Sequence, residues 1–159
     1  NNYRDEELIE PKRILESYNA KSTVTSKDVK EAKGMLGSRV TITFGIDKIK
    51  ISEYDAIVFV GGLGSKVYWE DKDIISIAKE AYLKGKFVCS ICLATGILAN
   101  AGLLKGIKAT GWEDTKEIVE KNGGVYTGNG VEISGRIITS QGPKHAKEFG
   151  ETIAKALSK

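Results

Sequence analysis

The sequence predicts an α/β sandwich built on a largely parallel sheet. Two apolar, β-branched runs carry that prediction: Tyr54-Asp55-Ala56-Ile57-Val58-Phe59-Val60, which stops at Gly61-Gly62-Leu63-Gly64-Ser65, and Phe87-Val88-Cys89-Ser90-Ile91, which stops at Cys92. Both read as strands buried on two faces, as in parallel sheets. The third observation is their alternation with segments of helical period, the pattern of stacked β-α units.

Taken in order, Leu8, Pro11, Ile14, Leu15 and Tyr18 share one face, so a first helix is expected from about Glu6 to Tyr18, with Pro11 tolerated near its start. Thr23-Val24-Thr25 reads as a short strand, the polar stretch Lys27 to Ser38 as a loop, and Val40 to Phe44 as a strand with one exposed face. Asp47 to Ser52 connects to the Ala56 to Val60 strand. Beyond the glycine turn and Val67-Tyr68-Trp69, apolar Ile74, Ile77, Ala78, Ala81 and Tyr82 predict a helix from about Asp71, ended by Gly85. The strand Phe87 to Ile91 leads into a helix from Leu93 to Ala101. Lys108-Ala109-Thr110, Val125 to Thr127, Val131 to Ile133 and Arg136 to Ser140 read as short strands. Thr115 to Lys121 reads as a short helix, and Ala146, Phe149, Gly150, Ile153, Ala154 and Leu157 stripe a last one.

At 159 residues the chain is one domain, long enough to bury roughly 70% of its unfolded surface. Its net charge of +3 comes from interleaved lysines and acids, and no window joins basic residues to aromatics as a nucleic-acid footprint requires. Two neighbouring cysteines, no signal segment and no apolar run near 18 residues point to a soluble cytoplasmic protein without a membrane span.

Chemistry centres on Cys92. A cysteine at a strand-to-helix turn sits on strained backbone, with amide N–H groups and the helix N-terminus directed towards its sulfur. That setting favours a thiolate, against the alternative of a buried core cysteine. Cys89-Ser90-Ile91-Cys92 has the CxxC spacing of redox and zinc sites. Three residues of extended strand span about 10 Å, too far for a disulfide, and no second ligand pair exists, so neither a metal nor a cofactor is expected. Cys89 then reads as core. The single histidine, His145, stands in a lysine-rich helical turn and reads as solvated.

In combination, Asp5-Glu6-Glu7-Leu8 with Pro11, Val60-Gly61-Gly62, Ile91-Cys92, Ala101-Gly102-Leu103-Leu104-Lys105-Gly106 and Thr139-Ser140-Gln141-Gly142-Pro143 resemble the ThiJ/PfpI family of the class I glutamine amidotransferase-like superfamily. The resemblance implies a three-layer sandwich with a flavodoxin-like sheet and Cys92 at a nucleophile elbow. It implies that Glu7, placed by Pro11, hydrogen-bonds the Cys92 sulfur as a protonated acid, since a carboxylate would repel a thiolate. Backbone N–H groups of Gly62 and Leu93 would form an oxyanion hole, and Gly61, Trp112, Tyr68 and Trp69 would line a pocket. Cys92 would attack a small carbonyl substrate or a peptide, as in glyoxalase, deglycase or peptidase chemistry, within a homodimer or larger oligomer.

The family's histidines are missing: Leu93 stands where the peptidase branch has one, and Trp112 where the parkinsonism-associated branch does. The alternative is therefore a non-enzymatic oxidative-stress sensor or holdase in which Cys92 becomes a sulfinate held by Glu7. Members also carry a strand ahead of the acidic turn, whereas this sequence opens Asn1-Asn2-Tyr3 directly before it. The expectation is a single domain over residues 1–159 without its natural first strand.

Overall fold

The computed structural model describes all residues, 1–159. Its central sheet has the order β5-β6-β10-β9, with β5 (Ala56–Phe59), β6 (Phe87–Ile91) and β10 (Ile137–Ser140) parallel and β9 (Val131–Ser134) antiparallel at one edge. Pleating sends successive side chains to opposite faces. Val88 and Ile137 thus join a cluster with Ile74, Ala78, Ile97 and Leu98, on the side of α2 (Lys72–Leu83), α3 (Thr95–Asn100) and α4 (Lys116–Lys121). Cys89, Ile91 and Ile138 join Phe149 and Ile153 on the other side, beneath α5 (Ala146–Leu157), which packs along α1 (Asp5–Ser17). The result is the three-layer α/β sandwich expected from the sequence.

Strands β5 and β6 and the α5 stripe lie where the sequence puts them; β6 is buried between two neighbours, whereas β5, expected to be buried on both faces, stands at the sheet edge and is only half-buried. Helix α2 starts at its Asp71 cap, whose carboxylate accepts from the N–H groups of Asp73 and Ile74. Three segments differ. Lys27 to Ser38 is not all loop: β2 (Glu31–Lys33) and β3 (Arg39–Thr41) form an antiparallel hairpin, with Ala32 buried opposite Val40 and Arg39 paired to Glu31 at 2.7 Å. Its outer residues are polar, which hid it. Val40 to Phe44 divides between β3 and β4 (Phe44–Gly45), the latter pairing with β1 (Thr25–Ser26). After β6 comes a single 3-10 turn, Cys92–Ala94, and only then α3. The remaining short pair, β7 (Lys108–Ala109) with β8 (Val125–Tyr126), flanks α4.

The chain's first residues thread between two loops. Asn2 N–H bonds Lys33 O at 2.8 Å, Arg4 N–H bonds Gly61 O at 3.0 Å, and Gly64 N–H bonds Asn2 O at 3.0 Å. This thread delivers α1 to the end of β5. Pro11 lies in the second turn of α1 rather than near its start, and α5 passes so close that a methyl on Gly150 would fall 2.8 Å from Pro11 Cα. Gly150→Ala should therefore destabilise the fold by about 1–3 kcal/mol despite the better helix propensity of alanine. A chemical-denaturation midpoint at or above the wild type's would show that α1 and α5 can separate freely.

Candidate active site

Two adjacent strand ends build the site. Parallel pairing of β5 with β6, Phe59 opposite Ser90, brings the Gly61-Gly62 turn beside Cys92. Gly61 is required by proximity: a methyl there would overlap Glu7 Oε2 and lie 2.5 Å from Ile91 O and 2.7 Å from Cys92 Cβ. Gly62 is required by conformation as well, with φ 103° against the backbone of Asn2 to Arg4. Cys92 itself has φ 61°, a strained value for a residue with a side chain, and is only 6% exposed.

Adjacent acids on α1 have opposite fates. Burial opposes ionisation of Asp5, yet hydrogen bonds from Ser38 Oγ–H and Leu36 N–H, both 2.6 Å, hold its carboxyl below the usual range. Asp5 thereby ties α1 to the β2–β3 loop, a role the sequence reading missed. Glu7 is fully buried, and neither carboxyl oxygen has a hydrogen bond of ordinary geometry. Burial raises it to about 7, although the Cys92 thiol, Arg4 and the Gly61 N–H lie near enough to favour the charged form.

The expected thiolate does not follow. Burial, then the nearby Glu7 carboxyl, push the Cys92 thiol up to about 12, while the N–H groups of Leu93 and Gly62 act in the opposite direction without prevailing. The physical reason is the burial of the sulfur beside an acid: both penalise a thiolate, and the 3-10 turn Cys92–Ala94 that leads into α3 supplies amides too few to offset them. Both shifts favour the protonated forms of the pair. The arrangement sets a titratable carboxyl against a thiol, with the N–H groups of Leu93 and Gly62 near the sulfur. Burial raises Cys89 further still, and both cysteines are free.

Trp112 packs with the Cys92 cluster and its N–H donates to Cys92 O at 3.2 Å. Tyr68, expected in the pocket, packs instead against the cluster on the α2–α3 side of the sheet. Trp69 touches both clusters. His145 ion-pairs at most with Glu148, 3.5 Å away on its own helical turn. Behind the turn runs a buried hydroxyl chain: Ser90 Oγ and Thr95 Oγ1 are 2.8 Å apart, Thr95 donates to Thr110 O, and Thr110 N–H donates to Thr139 Oγ1 at 3.0 Å. Only the burial of polar side chains between apolar neighbours could have flagged it. No group of three or more His, Cys, Asp or Glu side chains is arranged to hold a metal, and no helix is long and apolar enough to cross a membrane.

An α/β fold with a cysteine in a strained turn after a parallel strand, against a buried carboxyl, defines a class of thiol-centred α/β proteins. The sequence model of the DJ-1/PfpI family matches residues 1–156, and the chain belongs to that family. It is similar to a protein of Methanocaldococcus jannaschii, 42% identical over 99% of this chain and 78% of that one. It is also similar to a deglycase of Pyrococcus horikoshii, at 29% over 90% of this chain and 86% of the relative. Among solved structures, the ThiJ/PfpI domain protein from Brachyspira murdochii superposes with a TM-score of 0.96 at 32% identity, over 99% of this chain and 91% of that one.

A raised Glu7 sets the sign of a pH effect. The folded protein binds a proton that the unfolded chain, with the ordinary 4.5, has released, so this contribution to stability is lost as pH rises through about 7. Glu7→Gln should gain on the wild type between pH 5 and pH 8, by about 3 kcal/mol at most. Denaturant midpoints that stay parallel across that range would mean that Glu7 ionises in the fold at no cost.

Proposed function

We propose that the protein is a cysteine-dependent enzyme acting on small carbonyl compounds or glycated groups, with Cys92 as nucleophile and Glu7 as its proton partner. The observation that carries this reading is the unpartnered, fully buried Glu7 carboxyl packed across Gly61 from Cys92. Deglycase-named relatives over nine-tenths of the chain support it.

The first step uses one proton. Ionised Glu7 accepts the proton of Cys92 as Sγ bonds to the carbonyl carbon, and the carbonyl π electrons move to oxygen. Amide N–H groups of Gly62 and Leu93 receive that oxyanion. Glu7 then returns the proton to it, giving a hemithioacetal. Transfer of the C1 proton of a bound dicarbonyl to its C2 through Glu7 turns this into a thioester, and water cleaves the thioester to a hydroxy acid and the free Cys92 thiol. No histidine is needed, because a carboxyl near 7 is already matched to neutral pH. The same reading places the protein in the cytoplasm as a homodimer or larger oligomer, and the exposed Leu36, Leu63 and Val67 are apolar surface available to a second copy.

The second reading, a peroxide sensor, is favoured by one observation: no histidine adjoins Cys92, with Leu93 and Trp112 standing where the family resemblance implies one, and Glu7 is the titratable side chain that acts on the sulfur. Methylglyoxal consumption separates the two. Wild type should turn it over with a rate rising through about pH 7, and Cys92→Ser and Glu7→Leu should each lose about 100-fold or more. An inactive wild type whose Cys92 gains two oxygens under mild peroxide would favour the sensor instead.

A further inference from the structure

The turn that carries Cys92 needs holding, since a non-glycine residue at φ 61° relaxes unless its surroundings fix it. Two consecutive carbonyls behind the sulfur are tied back by tryptophans. Trp112 N–H donates to Cys92 O at 3.2 Å, and the Trp69 indole Nε1–H donates to Leu93 O at 2.7 Å. Because N–H and C=O of a trans peptide point in opposite directions, tying the Cys92 carbonyl sets the direction of the Leu93 N–H. That amide is one of the two that act on the sulfur. The Trp69 bond fixes the next peptide, so the Leu93 backbone cannot rotate between the two anchors.

Trp69 is itself held from three sides. Gly96 accepts the indole face, where a methyl would fall 2.5 Å from Cδ2. Lys66 Nζ lies 5.4 Å from the ring centroid, and Asn100 Nδ2–H donates to Trp69 O at 2.6 Å. The ring is thus fixed by α3 and its N–H is spent on the turn.

From this geometry we infer that Trp69 is a positioning residue for the nucleophile: its indole N–H holds the Leu93 carbonyl and, with the Trp112 anchor on the peptide before it, keeps the Leu93 N–H turned towards Cys92 Sγ. The inference deepens the proposed function and rests on Cys92 being its nucleophile, but it is tested on the thiol itself, with no substrate. Two variants are needed, Trp69→Phe and a replacement of the Trp69 indole by a benzothienyl group, which keeps the shape and exchanges N–H for sulfur. The readout is the rate of iodoacetamide labelling of Cys92 as a function of pH, by peptide mapping, with Cys89 labelling as the check on folding.

Both variants should label Cys92 on the order of tenfold more slowly at neutral pH, with the rise displaced to higher pH, while Cys89 stays protected. If Trp69→Phe exposes Cys89, the benzothienyl variant decides alone. A benzothienyl variant within twofold of wild type at every pH would overturn the inference and reduce Trp69 to packing. Loss of methylglyoxal turnover in every form, with the labelling effect intact, would count against the proposed reaction and leave the positioning role standing.

Discussion

Everything distinctive in this molecule depends on one contact, the Glu7 carboxyl lying across Gly61 from Cys92. A carboxyl with no hydrogen-bond partner and no exposure is costly to ionise, so its proton stays within reach of neutral pH. The same burial makes the thiol a poor acid. Neither group is useful alone. In the proposed reaction a proton passes between sulfur and oxygen, and Glu7, raised to about 7, has the acidity a histidine would offer.

The rest of the fold maintains that contact from three directions. Asp5, ionised and hydrogen-bonded to the β2–β3 loop, fixes the first turn of α1, two residues from Glu7. Gly150 lets α5 close on α1 from behind. On the cysteine side, β6 pairs with both β5 and β10, and the hydroxyl chain from Ser90 to Thr139 fixes the segment whose Trp112 N–H reaches Cys92 O. Polar groups in that chain satisfy one another, so it can sit inside an apolar core without a penalty that would loosen the turn.

How much of this was legible in the sequence follows from the range of each interaction. Strands β5 and β6 and helices α2 and α5 could be read because their signals are local periodicities. Glu7 could be brought to Cys92 only through family resemblance, since the two are far apart in sequence and meet through the fold. The β2–β3 hairpin was unreadable because Glu31, Lys33, Arg39 and Thr41 face solvent and resemble a loop. The acidity of Cys92 was not legible either, because burial, which raises the thiol against the two amides, is set by the folded surroundings and not by the local spacing. Asp5 left no pattern at all, because its partners Leu36 and Ser38 supply them through a distant loop.

The central claim is that Glu7 keeps its proton to near neutrality because it is buried against Cys92. Carbon-13 NMR of glutamate-labelled protein follows the Glu7 carboxyl directly, assigned by its absence in Glu7→Gln. The account requires a titration midpoint near 7 in the wild type, moving when Cys92 is replaced by serine. A midpoint at the ordinary 4.5, indifferent to that replacement, would contradict it.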